Sequence, residues 1–231
     1  MPLQYQATST DRLIMERNWV LPGASNVAAS RAYKILRTRV LRALRTNNWH
    51  TLGVTGTTAG EGKTLAAVNL ALSLAQDVNT WVFLVDLDLQ RPRVGQYLGM
   101  EYTRGLTDFL SGRAALEDII YDIGVQRCAV VPNHGIPVAS SELLRSPRMG
   151  ELVAALENES PRRIVVFDMP PLLGSDDVLA FAPHIDSFLL VVSQGWTARR
   201  SLANAQELLS ELNVLGVVLN RSTEHNDSRY Y

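Results

Sequence analysis

Apolar residues in this chain fall into short unbroken runs, separated by longer stretches with helical spacing. The runs TLGVT (51–55), WVFLVD (81–86), CAVVP (128–132), RIVVFD (163–168), FLLVVS (188–193) and VLGVVLN (214–220) read as strands. They lack polar alternation, so both faces are expected to be buried, as in a mostly parallel sheet covered on each side by helices. Between them, residues 63–76, 116–122, 141–159, 178–182 and 197–212 carry amphipathic helical spacing. A further helix is expected over about 28–45, with Ala32, Tyr33, Leu36, Val40, Ala43 and Leu44 on one face. Arg31, Lys34, Arg42 and Arg45 gather on its other face. The pattern predicts an α/β domain over 29–221. An arm, 1–28, precedes it with one short helix near DRLIMERN, and a polar tail, 222–231, follows.

Composition narrows the function classes. The 231 residues carry a formal net charge of −1, so bulk electrostatics favours neither nucleic acid nor a membrane. The start lacks the cationic and apolar segments of a secretory signal, and no run approaches the ~18 apolar residues of a membrane span. The one cysteine, Cys128, sits in an apolar run and reads as a core thiol, which excludes a disulfide framework within the chain. His50, His134, His184 and His225 are scattered without metal-ligand spacing.

In such sheets ligands bind beyond the carboxyl ends of the strands. The first strand leads into TGTTAGEGKT (55–64), close to the phosphate-binding pattern G-x-x-x-x-G-K-[ST]. The pattern's first glycine should fall at Thr57, but the glycine is Gly56. Strand before and helix after is the context the motif demands. Gly60 and Gly62 let successive N–H groups converge on an anion. The phosphate-binding candidates are Thr58, Ala59, Gly60, Glu61, Gly62, Lys63, Thr64 and Leu65. Lys63 would reach the β- and γ-phosphates and the Thr64 hydroxyl would bind Mg²⁺. The dinucleotide alternative G-x-G-x-x-G fails because its third glycine falls at Leu65. Asp86 and Asp88 end one strand as D-L-D, and Asp168 ends another. Carboxylates beside a phosphate cradle suit a magnesium nucleotide, holding the metal or accepting a proton.

GEGKT, FLVDLDLQRP, FDMPP and GVVLNR together resemble the P-loop tyrosine kinases of bacterial exopolysaccharide and capsule synthesis. GLTDFLSG and SSELLRSP resemble that family as well, and the likeness runs from about Ala28 to Arg221. The resemblance implies a three-layer P-loop fold like that of MinD, with ATP as donor, Mg²⁺ as cofactor and a tyrosine hydroxyl as acceptor. It implies catalytic roles for Lys63, Asp86 and Asp88, and metal contacts from Thr64, Asp86 and Asp168. It also implies nucleotide contacts from Asn220 and Arg221, and acceptor tyrosines at Tyr230 and Tyr231. The implied partner is a membrane protein controlling polysaccharide chain length, with this chain cytoplasmic and recruited to the inner membrane face. Self-association would run through the 29–45 helix, and nucleic acid is not expected.

Three departures stand out. Gln90, followed by Arg91, replaces the arginine of D-x-D-x-R. Arg31, Lys34 and Arg37 replace the Glu-x-x-Arg-x-x-Arg pattern that links subunits. The tyrosine cluster is reduced to two residues. An ATP-binding switch without phosphoryl transfer therefore stays open, as does a ParA- or MinD-like ATPase. The latter usually carries a lysine where this chain has Thr58.

Overall fold

The computed structural model describes residues 5–20, 27–135, 140–158 and 162–222. Its eight strands are β1 (Gln6–Ala7), β2 (Thr51–Gly56), β3 (Trp81–Asp86), β4 (Tyr121–Asp122), β5 (Cys128–Val131), β6 (Arg163–Asp168), β7 (Ser187–Ser193) and β8 (Val214–Asn220). They form one sheet in the order β1-β4-β5-β3-β6-β2-β7-β8. Every pairing is parallel except β4 with β5. The helices are α1 (Arg12–Arg17), α2 (Val27–Asn47), α3 (Lys63–Leu74), α4 (Val94–Leu98), α5 (Leu106–Leu110), α6 (Ser140–Leu144), α7 (Pro147–Asn158), α8 (Asp177–Phe181) and α9 (Arg199–Leu208).

The unbroken apolar runs split by parity into two cores. Val82 and Leu84 of β3 pack with Val40 and Leu44 of α2 and with the apolar side of α3. Phe83 and Val85 face the other way, with Phe109 of α5, Leu152 of α7 and Phe181 of α8. This is the three-layer α/β sandwich expected from the sequence. The chain moves outward from β2 on one side, through β3 and β5, then returns through β6 and leaves on the other side through β7 and β8. That reversal flanks the end of β2, where a crevice forms in such sheets. Among the described residues no helix is long and apolar enough to cross a membrane.

β3, β6 and β8 have the bounds the sequence predicted. Residues 116–122 do not form the expected helix. Asp118 accepts from the Ala115 N–H at 2.9 Å in a turn, and Tyr121–Asp122 is a strand between β1 and β5. Ile119 and Ile120 enter one core while Tyr121 and Ile123 enter the other, a two-sided burial that mimics helical spacing over so short a run. The helix expected over 141–159 divides into α6 and α7 at Pro147, which lacks an N–H and opens the second helix. The one expected over 197–212 is shorter, as α9, and α3 stops at Leu74. The arm is packed rather than free over its described part: β1 pairs with β4, and Met15 and Val20 are buried with α2 and α3.

Candidate functional site

β2 ends at Gly56 and the loop 57–62 returns the chain to α3, whose first residue is Lys63. Gly60 and Gly62 have φ of +85° and +91°, the left-handed region that costs a residue with a Cβ. A Cβ on Gly62 would also overlap the Asn220 amide, which donates to the Glu61 carbonyl at 2.9 Å. The displaced glycine, Gly56, has its own reason. Its Cα faces the Glu61 carboxylate, and a Cβ there would stand 2.9 Å from both Lys63 Cγ and the Val191 carbonyl.

Glu61 is fully buried, and its carboxylate turns into the loop rather than toward a ligand. One oxygen accepts from the N–H groups of Thr57 at 2.6 Å and Thr58 at 3.0 Å. The other accepts from the hydroxyls of Thr57 at 2.5 Å and Thr197 at 2.6 Å. A buried carboxylate is tolerable only with such donors. Thr57 thus stands in the glycine position as a partner of Glu61. Thr197 lies 136 positions further on, so sequence spacing gives no sign of this clasp.

The acidic residues assemble beside the loop. β3 and β6 pair with Asp86 opposite Asp168, and Asp168 lies opposite Val54 of β2. Asp86 is fully buried, and one of its oxygens accepts from the Arg93 and Val94 N–H groups at 2.9 Å each. It therefore anchors the start of α4. Asp88, half-buried, accepts from the Arg91 N–H at 2.9 Å. Asp168 is buried, and neither of its oxygens has a hydrogen-bond partner of regular geometry among the described residues. The Thr64 hydroxyl is nonetheless near enough to act on it.

Burial is the main force raising the carboxyl of Asp168 above its ordinary range, with Asp88 adding to it and Thr64 and Lys63 opposing. Burial also raises Asp86 well above that range, helped by the charges of Asp168 and Asp88. Burial lowers the Lys63 ammonium, although Asp168, Asp88 and Glu61 all pull it up, and Arg93 pushes it further down. Its Nζ contacts the Thr58 carbonyl at 3.4 Å. Two buried oxygens without a regular hydrogen bond among the described residues, beside the Thr64 hydroxyl, fit an oxygen-seeking divalent ion. Among the described residues no group of three or more His, Cys, Asp or Glu could hold a metal. A magnesium ion here would take Asp168 and Thr64 and depend on phosphate oxygens for the rest, its usual habit in nucleotide sites.

On the outer side of the loop the Arg221 guanidinium donates to the Gly60 carbonyl at 2.9 Å, and the Trp196 indole donates to the Ala59 carbonyl at 3.2 Å. Arg221 lies over the Trp196 ring at 5.9 Å. Asn220 and Arg221 are both bonded to the backbone of the phosphate loop. Trp196 and Arg93 were not singled out from the sequence. Trp196 sits in the loop just after β7, beyond a strand's carboxyl end, and Arg93 lies two residues beyond Arg91. Tyr230 and Tyr231 lie outside the described residues.

Residues 52–230 match the model of the CobQ/CobB/MinD/ParA nucleotide binding domain, and the chain belongs to that family of P-loop proteins. Within it, the chain belongs to the bacterial tyrosine kinases of the YwqD and CpsD type. It is 31% identical over 221 residues to the tyrosine-protein kinase YwqD of Bacillus subtilis, covering 94% of this chain and 92% of that protein. It is 32% identical over 176 residues to the tyrosine-protein kinase CpsD of Streptococcus agalactiae, covering 75% of each. The kinase domain of the Escherichia coli tyrosine kinase ETK superposes with a TM-score of 0.75 at 26% identity, covering 87% of this chain and 80% of that one.

Proposed function

We propose that this chain is an ATP-dependent protein-tyrosine autokinase serving exopolysaccharide or capsule assembly. The observation that carries the reading is the meeting of Lys63, Thr64, Asp88 and the buried Asp168 at the mouth of the phosphate loop. The loop amides of 59–65 and the Lys63 ammonium would cradle the triphosphate of ATP, while the Thr58 N–H is taken up by Glu61. Thr64 and Asp168 would hold Mg²⁺, which supplies charge neutralisation on the β- and γ-phosphates. Asp86, engaged by backbone amides, keeps the 87–93 loop in place. Asp88, half-buried and with one oxygen on the Arg91 N–H, is the carboxylate proposed to orient the acceptor tyrosine and take its proton, which a free phenol holds up to pH ~10. The phenolic oxygen forms the new bond to the γ-phosphorus, the bond from γ-phosphorus to the bridging oxygen breaks, and ADP departs. Tyr230 and Tyr231 are the proposed acceptors. The proposed partner is a membrane chain-length regulator that brings the chain to the inner face of the cell membrane.

Lys63→Met is expected to abolish phosphotyrosine on the protein, since losing one preorganised charge of this kind costs ~10²–10³ in turnover. An anti-phosphotyrosine blot of equal strength in that variant would overturn the assignment. A second reading, an ATP-binding switch without transfer, is supported by Gln90 in the place of an arginine. The intact mass after incubation with Mg-ATP separates the two: added phosphate on a tyrosine sustains the kinase, and tight ATP binding without it sustains the switch.

A further inference from the structure

Gln90 stands two residues beyond Asp88, and two arginines follow it, Arg91 and Arg93. The segment that carries them is fixed at several points. The Leu87 N–H donates to the Asp168 carbonyl at 2.8 Å, and the side chains of Leu87 and Leu89 are fully buried. Arg91 gives its backbone N–H to Asp88, and Arg93 gives its own to Asp86, at 2.9 Å each. Pro92, between them, lies against Gly135, where a Cβ would stand 3.0 Å from the proline Cδ. Both arginines are exposed.

Arg93 belongs to the site by position. Its backbone is held on Asp86, which stands opposite Asp168 in the pairing of β3 with β6, and Asp168 lies beside Thr64. Its guanidinium is near enough to Lys63 for the two positive charges to repel. Among the described residues neither cation has an ion pair, although Asp86, Asp88 and Asp168 belong to the same cluster. Two such cations gain most from an anion placed between them. Asn220 and Arg221 bond the phosphate loop from the β8 side, whereas Arg93 approaches from the β3 side, with β6 and β2 between. A triphosphate held in the loop meets Arg93 at the end that points toward β6 and β3, where Asp168 and Asp88 are.

We propose that Arg93 is a catalytic residue that binds the terminal phosphate of ATP and takes the place of the arginine absent at position 90. The proposal rests on the kinase reading for its substrate and adds a residue to that site. Lys63 and the loop amides approach the phosphates from the β2 side. The Arg93 guanidinium approaches the γ-phosphoryl oxygens from across the site, and its planar fork suits two of them. As the γ-phosphorus leaves the bridging oxygen for the phenolic oxygen, negative charge spreads over those oxygens and the departing ADP, and a fixed guanidinium offsets it. The bond to Asp86 uses only the backbone N–H, so the side chain at 93 is available to the ligand while its main chain serves the fold.

The test compares, by calorimetry on the full chain, Mg-ADP with the magnesium complex of an ATP analogue whose β–γ bridge is an imido group. Arg93→Gln should weaken the analogue roughly tenfold, the loss of one charged hydrogen bond, and leave ADP unchanged. Single-turnover phosphotyrosine formation at saturating ATP should fall ~10²-fold. Arg93→Lys should keep part of both, and Gln90→Arg placed in the Arg93→Gln protein should restore much of the loss. Equal weakening of both ligands, with a lowered thermal melt, would make Arg93 a residue of the fold and overturn the proposal. It fails also if Arg93→Gln binds the analogue as tightly as the parent, if Arg91→Gln has the predicted effect instead, or if Gln90→Arg restores nothing. A parent that makes no phosphotyrosine, yet loses affinity for the analogue alone with Arg93→Gln, would end the kinase reading and leave this phosphate contact standing.

Discussion

Glu61 shows how much a single side chain decides at this site. Its four short hydrogen bonds hold the start of the phosphate loop and join it to the segment after β7 through Thr197. Glu61→Gln turns one acceptor into a donor facing other donors. Nucleotide affinity measured by calorimetry with Mg-ADP should fall by the equivalent of about 1–3 kcal/mol. Gly56→Ala drives a Cβ against that carboxylate and the Val191 carbonyl, and should cost a similar amount in stability. Asp168 acts in the opposite sense. Its folded carboxyl is raised above the unfolded value of 3.8, so its contribution to stability is present below that pH and lost as pH rises through the folded value. Asp86, raised as well, follows the same direction. Asp168→Asn should therefore raise the melting temperature of the nucleotide-free protein at neutral pH and flatten its decline from acid to neutral. Thermal unfolding across that pH range would show it. The same variant should gain nothing from magnesium and nucleotide, the trade expected where a residue is retained for a ligand rather than for the fold.

At the scale of elements, legibility followed burial. β3 and β6 could be bounded from sequence because buried parallel strands are apolar throughout and end where an aspartate meets the site. β8 is equally apolar but lies at the edge of the sheet with Val217 and Leu219 more than half exposed, against the expectation that both its faces are buried. Residues 116–122 misled because isoleucines buried on two sides imitate a helical face. α4 and α5, five residues each, are too short for a period to register. They hold because carboxylates meet their first amides: Asp86 those of Arg93 and Val94, and Asp108 that of Gly105 at 3.1 Å. α2 shows the reverse case, a helix evident in the sequence whose seat is fixed by a few contacts. Leu44 is nearly inaccessible between α2 and the rest of its core, and Leu44→Ala should cost about 2–5 kcal/mol in urea unfolding. A loss well under 1 kcal/mol would mean that α2 is held mainly by Arg37, on the Ser73 carbonyl, and Arg45, on Asp77.

Across the whole molecule, ligand and fold should be linked. Mg-ATP at a hundred times its Kd should add about 2.7 kcal/mol to stability, and Lys63→Met should lose most of that gain. A shift of equal size in the variant would place the nucleotide away from α3. The sequence by itself determined the layered α/β class, the phosphate loop and the three strand-end aspartates. It could do so because two-sided burial writes itself as continuous apolar runs, and because glycine, lysine and hydroxyl act on phosphate through local spacing. Only the tertiary structure decided what each group does there. It set Asp86 against backbone amides and buried Asp168 beside the Thr64 hydroxyl with no regular hydrogen bond among the described residues. It turned Glu61 inward to Thr197 and brought Trp196 and Arg221 onto the outside of the loop. Those assignments depend on which strand tips become neighbours, and residues more than a hundred positions apart carry no local pattern that announces their meeting.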